Sequence, residues 1–223
     1  MKNRIKVMIT GTTGMVGEGV LHECLDHPMV KEVLIINRKS LNRSHPKLKE
    51  LIHSNFYDMT TIEEQLRGYD ACFFCLGVSS VGMKEDEYAK VSYDLTIHMA
   101  EILTKQNKNM IFTYVSGMGT DSTEKGRTMW ARVKGRTENK LILMPFKSAY
   151  MFRPGYLQPT AGLQFTHKYY QYIGWLYKIV KPIAPKSINS LKELGQAMIN
   201  CVLFGYEKNI LNPKDIYKMS KDN

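Results

Sequence analysis

Short β-branched runs alternate with helical stripes six times along this chain, and that alternation limits the fold more than any other feature. Ile5 to Thr10 reads as a strand. Residues 14–26 set Val16, Val20, Leu21 and Cys24 on one helical stripe. His27-Pro28 closes that helix, because the residue before a proline avoids helical backbone. Val33 to Ile36 predicts a second strand, Leu51 to Phe56 a third, and 60–67 a short helix. Ala71 to Leu76 reads as the fourth strand, and Tyr88 to Lys105 as a long helix carrying Val91, Leu95, Met99 and Ile102 on its apolar side. Met110 to Val115, a helix over 127–143 and Ala149 to Phe152 complete the series. Such alternation means βαβ units with right-handed crossovers, hence an α/β fold with a doubly wound parallel sheet. Beyond Arg153-Pro154-Gly155 the alternation stops. A helix over 168–180, two prolines (Pro182, Pro185) and a helix over 191–205 predict a small, mostly helical C-terminal lobe. Residues 1–155 are expected to form the core and 156–223 an appended part of the same compact domain.

With 223 residues, 43% of them hydrophobic, the chain can bury a core without disulfide staples. No apolar run reaches the length of a membrane-spanning helix. The N-terminal apolar run is interrupted by Lys6 and is too short for a secretory signal. Four cysteines (Cys24, Cys72, Cys75, Cys201) show no framework spacing, which points to a reducing, cytoplasmic setting. Cys72 and Cys75 fall three apart on one strand, so they face opposite ways and do not converge on a metal. The histidines are scattered, and no metal site is expected. The net charge of +10 favours anionic partners without choosing among them.

The loop after the first strand chooses. Gly11-Thr12-Thr13-Gly14-Met15-Val16-Gly17 lies between a strand and a helix. Glycine permits the tight turn and has no Cβ to block a diphosphate, and the free N–H groups at the helix start hold the anion. The third glycine allows close packing of helix on strand. The second strand ends Asn37-Arg38-Lys39-Ser40, where an NAD-selective site places an acid for the ribose 2′-hydroxyl. Arg38 suits a 2′-phosphate instead, so NADP(H) is favoured over NAD(H).

These motifs, with Leu76-Gly77, Ser116, Lys134 and the Arg153-Pro154-Gly155 turn, resemble the short-chain dehydrogenase/reductase superfamily in its extended and atypical members. The resemblance is narrower to the branch of Tat-interacting-protein-like and sugar-epimerase-like proteins with a Rossmann fold. It implies that Gly11, Gly14 and Gly17, with Thr13, Met15 and Val16, hold the diphosphate, and that Arg38 meets the 2′-phosphate. It further implies that Asn55, Phe56, Leu76 and Gly77 flank the adenosine, that Lys134 binds the nicotinamide ribose, and that Pro154 and Gly155 lie along the nicotinamide. Ser116 and Lys134 are the implied catalytic residues.

The chain departs from the family's Tyr-x-x-x-Lys pair. Here the segment reads Trp130-Ala131-Arg132-Val133-Lys134. An indole donates a hydrogen bond but does not titrate usefully, so a reaction with this residue as the acid should fail. Tyr114 and Tyr156 are the nearest substitutes in sequence, and Tyr177 to Lys181 repeats the spacing outside the expected site. Two readings follow: an NADP(H)-dependent oxidoreductase or epimerase acting on an unknown small molecule, or a non-catalytic NADP(H)-sensing or binding module. The aromatic and lysine-bearing segment 165–181 reads first as core, pocket wall or a homodimer contact. A membrane or nucleic-acid surface is the less favoured reading.

Overall fold

Strands that are apolar over their whole length need cover on both faces. β4 (Ala71–Phe74) is of this kind, and β1 (Ile5–Thr10), β2 (Val30–Asn37), β5 (Ile111–Val115) and β6 (Ser148–Phe152) are buried over most of their length, with Lys6, Lys31 and Glu32 as the charged exceptions. The computed structural model describes residues 4–165 and 188–221. The strands stand in the order β3-β2-β1-β4-β5-β6-β9, with β3 at Leu48–Ile52 and β9 at Ile210–Leu211, and every pairing is parallel.

Helices cover both faces. On one side lie α1 (Met15–Asp26), α5 (Leu191–Phe204) and α6 (Pro213–Met219), over a core that includes Val20, Leu21, Leu194 and Met198. On the other lie α3 (Leu95–Gln106) and α4 (Met129–Ile142), with Met99, Leu103 and Leu141 against Phe74 and Phe112. Each such side chain contributes about 1.5–3 kcal/mol on burial. Cys72 packs into the second layer and Cys75 against the first, as strand alternation requires. This is the doubly wound Rossmann architecture that the alternation predicts. Its chain order reverses between β1 and β4, so a crevice opens at their carboxyl ends.

Differences from the sequence expectation have local causes. The third strand is Leu48–Ile52 rather than 51–56; it is an edge strand, which leaves Lys49 and Glu50 exposed. Residues 54–57 turn aside to wall the crevice. The short helix over 60–67 contracts to a 3₁₀ turn, Glu63–Leu66. The long helix is α2 (Glu85–Ala89) and α3 joined by a π-helical turn, Lys90–Asp94. Near that widened turn the Ser92 carbonyl accepts from Thr96 Oγ1 (3.0 Å), Thr137 Oγ1 (3.1 Å) and the Tyr114 hydroxyl (3.5 Å), so it ties α3, α4 and β5 together. The C-terminal part also supplies strands the sequence pattern did not show. β9 extends the main sheet, and β7 (Leu157–Gln158) pairs with β8 (Asn189–Ser190). Residues 166–187, which include the expected helix over 168–180 and the Tyr177–Lys181 repeat, lie outside the described residues.

Candidate functional site

The glycine loop is shaped by contacts that no other residue permits. Gly11 has φ +74°, and a Cβ there would stand 2.6 Å from Leu76 N. A Cβ on Gly17 would stand 2.2 Å from the Gly11 carbonyl oxygen. Gly14 differs. Its nearest neighbour for a Cβ is Gly11 O at an ordinary 3.5 Å, and it faces open space. The protein's own packing therefore tolerates a side chain at Gly14, and only a ligand approaching the loop would not. No side chain caps α1 at Gly14, which lines the crevice, so the first N–H groups of the helix carry no side-chain partner there.

A cavity of about 380 Å³ lies against this loop. Gly11, Thr13, Gly14, Arg38, Asn55, Phe56, Leu76 and Gly77 all line it, together with Asn37 and Tyr57. The loop 53–58 is held by His53 Nε2–H, which donates to the carbonyls of Asn55 (2.7 Å) and Asp58 (2.6 Å). The Tyr57 hydroxyl donates to Lys90 O at 2.7 Å, which fastens that loop to the π-helical turn. Arg38 is exposed, and no salt bridge or hydrogen bond engages it among the described residues.

One acid does stand near the end of β2, delivered by the neighbouring strand. Glu50 accepts from Ser40 Oγ (2.5 Å), Leu41 N (2.9 Å) and Asn37 Nδ2 (3.4 Å). Asn37 Oδ1 in turn accepts from Thr12 Oγ1 at 2.8 Å. Burial pushes the Glu50 carboxyl up, but the three donors outweigh it and hold it below its ordinary value. The Ser40 hydroxyl is turned to this carboxylate.

A second, open groove of about 450 Å³ adjoins the first through Val78. Val16, Ser116, Trp130, Lys134, Pro154 and Gly155 line it. The structure therefore brings the proposed residues into two adjoining spaces. Gly17 lines neither; it is buried against Gly11 and acts through packing. Met15 lines neither and packs on the core.

The floor of the second groove is charged. Lys134 Nζ donates to Ser116 O (2.8 Å) and Val115 O (3.3 Å) and stands 5.8 Å from the centre of the Tyr114 ring. Loss of water pulls its pKa down to about 8, against the opposing pull of Glu138. Ser116 Oγ donates to Glu138 Oε1 at 2.5 Å, with Phe152 O a further acceptor at 3.2 Å. Glu138 is fully buried and is gripped by the Arg153 guanidinium through Nε and Nη2. Arg153 Nη2 also donates to Ser122 Oγ at 2.6 Å.

The tyrosines near the second groove are buried or hydrogen-bonded to the protein. Tyr114 is 2% exposed, and burial drives its pKa up. Tyr156 donates to Gln158 Oε1 at 3.1 Å. Tyr88 lines the groove beside Trp130, but burial raises its pKa, against the pull of its hydrogen bond to Ser92. Arg132 binds Glu85 and Gly126 O rather than facing the groove. Cys75, on the wall of the first cavity, is pushed up to about 12 by burial and is a poor nucleophile.

Sequence reasoning missed Glu138, Arg153, Glu50 and Tyr88. Glu138 alone had a signal: it lies four residues after Lys134, hence on the same helix face. Among the described residues no cluster of three metal-ligating side chains occurs, and no helix is long and apolar enough to cross a membrane.

The Lys134 shift carries a pH prediction. The folded pKa lies below the unfolded value of 10.5, so the folded state binds fewer protons between the two. Stability contributed through this group should rise from about pH 8 to pH 10.5. Thermal unfolding of wild type and Lys134→Met across that range checks it: wild type should gain on the variant as pH rises, and a constant gap contradicts the shift.

The comparisons agree with this geometry. The model of the NAD dependent epimerase/dehydratase family matches residues 7–128. Protein HTATIP2 of Rattus norvegicus is 28% identical over 160 residues, 70% of this chain and 64% of that protein. The chain thus spans less than two thirds of that relative's length. The mitochondrial protein fmp52-1 of Aspergillus terreus is 26% identical, over 69% of this chain and 67% of its own. Among solved structures, the Bordetella bronchiseptica enzyme WbmF in complex with NAD+ superposes with a TM-score of 0.69 at 14% identity, covering 97% of this chain and 77% of that one. The Helicobacter pylori ADP-L-glycero-D-manno-heptose-6-epimerase superposes at 0.67 and 16% identity, over 99% and 82%. At such identities the structures speak for the fold, while the match over residues 7–128 speaks for the family. With the nucleotide-binding fold, the glycine loop and the family match in agreement, this chain belongs to the NAD dependent epimerase/dehydratase family, within the NAD(P)-binding short-chain dehydrogenase/reductase-like proteins.

Proposed function

We propose that the protein binds NADP(H) and acts as an oxidoreductase or epimerase on a small molecule, with Ser116 and Lys134 at the reacting end and no tyrosine at position 130. In this reading residues 1–155 carry the dinucleotide and 156–223 close the substrate side. The cofactor when bound supplies a hydride donor or acceptor. The first cavity takes the adenosine half, the N–H groups after Gly14 the diphosphate, and the second groove the nicotinamide half. The free thiols among the described residues suit the cytoplasmic setting.

One observation carries the NADP(H) preference. Arg38 stands unpaired among the described residues at the wall of the adenosine cavity, while the nearby acid, Glu50, is already occupied by three donors from the turn 37–41. A carboxylate so engaged is a poor acceptor for a ribose 2′-hydroxyl, and a free guanidinium is a good donor to a 2′-phosphate. Calorimetric titration with NADPH and with NADH tests this. NADPH should bind more tightly, and Arg38→Ala should weaken NADPH by about 10–100-fold, the worth of a charge-assisted bond, with little effect on NADH. Equal affinities, or an indifferent variant, would reject the preference.

The second reading, a non-catalytic NADP(H)-binding module, is favoured by Trp130, since the groove holds an indole at the phenol position and Tyr88 is hydrogen-bonded to Ser92. Hydride transfer from NADPH to a panel of aldehydes and ketones separates the two readings.

A further inference from the structure

A serine hydroxyl has one proton and two lone pairs. At Ser116 both neighbours on the protein side are acceptors, Glu138 Oε1 at 2.5 Å and Phe152 O at 3.2 Å. Glu138 cannot reverse the bond, because both of its oxygens already accept from the Arg153 guanidinium. The proton of Ser116 therefore points into the protein, and nothing among the described residues donates to its oxygen. Only lone pairs are left for the groove, where Ser116 is partly exposed. Two acceptors set face to face leave a polar atom without a partner, which costs binding energy.

Around this atom the groove has a mixed lining, with Ser79 and Ser80 at one part and apolar side chains over the rest. Trp130 and Tyr88 line it, and Met118 and Val78 are 61% and 42% exposed at its wall. The charged group that lines it is Lys134, which directs bonds to the Val115 and Ser116 carbonyls.

We infer that the groove takes a hydroxyl-bearing ligand with an apolar body, whose O–H donates to Ser116 Oγ, and that Glu138 is the positioning residue that sets this polarity. The inference rests on the proposed function and names its substrate class: the alcohol rather than the carbonyl partner of a redox pair is the form held at Ser116. A ketone of the same shape would meet a lone pair there.

The test compares 1-phenylethanol with acetophenone, a pair matched in body and opposite in hydrogen-bonding role. Dissociation constants are read by ligand-observed NMR on the full chain with NADP+, and no turnover is needed. The alcohol should bind about 3–10-fold more tightly, the range of one hydrogen bond. Ser116→Ala should erase the gap. Glu138→Gln should shrink it, because an amide N–H can donate to Oγ, which takes up a lone pair and leaves the serine proton to divide between Phe152 O and the groove. A purely structural Glu138 would leave the ratio unmoved in any Glu138→Gln protein that folds. Should that variant not fold, Ser116→Ala still decides. Equal binding of the two probes, a gap that survives in Ser116→Ala, or binding of neither probe overturns the inference. Calorimetry with NADP+ is run first, so a failure to bind dinucleotide, which defeats the proposed function, is seen separately. If no dinucleotide binds, the probe ratio is read on the chain alone.

Discussion

Glu138→Ala should cost about 3–5 kcal/mol of stability, the loss expected when one member of a buried ion pair is removed. Glu138 is fully buried, while Arg153 keeps 13% of its side chain exposed. Truncation strips the guanidinium of its carboxylate, frees the Ser116 hydroxyl and opens a void between α4 and β6. Urea unfolding of the two proteins measures the loss. A cost below about 1 kcal/mol would mean that the pair is weakly held. The double variant Glu138→Leu with Arg153→Met separates pairing from packing. Replacing both charges by apolar groups is often near neutral, so it should recover most of the stability without restoring the acceptor polarity of Ser116.

The glycine loop supports a second large and divided effect. Gly17→Ala should destabilise the fold by about 1–3 kcal/mol, the usual range for overpacking, because its Cβ would meet the Gly11 carbonyl oxygen at 2.2 Å and Thr12 N at 2.9 Å. These are backbone atoms and cannot rotate away. Gly14→Ala should leave the fold within about 1 kcal/mol of wild type, as an N-cap change without a side-chain bond. It should still weaken dinucleotide binding by at least about tenfold, since the new methyl occupies the face turned to the cavity. Thermal unfolding and NADPH calorimetry on both variants check the division. Undiminished binding in Gly14→Ala would remove the diphosphate from this loop.

How much of the site was legible in the sequence follows from how far apart its parts lie. Gly11, Gly14 and Gly17 answer to a turn and a helix start within seven residues, and a local pattern shows them. Arg38 follows from its place at the end of the second strand. Glu50 did not show, because its role comes from the parallel register that sets it opposite Ile35. Nor did the Glu138–Arg153 pair, whose members lie fifteen residues apart on α4 and just beyond β6. The boundary of β3 was missed because an edge strand carries Lys and Glu where a central one carries Val and Ile. β9 is two residues long, too short for any periodicity to register.

The sequence by itself determined the alternation, the parallel doubly wound sheet and the glycine turn, since each is a short-range consequence of side-chain period and backbone freedom. Only the tertiary structure decided which way the Ser116 proton points, that the acid near β2 is already occupied, and that Lys134 sits where its charge is poorly hydrated. Those are matters of burial and partner geometry. A hydroxyl's polarity and an ammonium's pKa depend on what the fold places within about 3 Å of them, and no spacing along the chain encodes that distance.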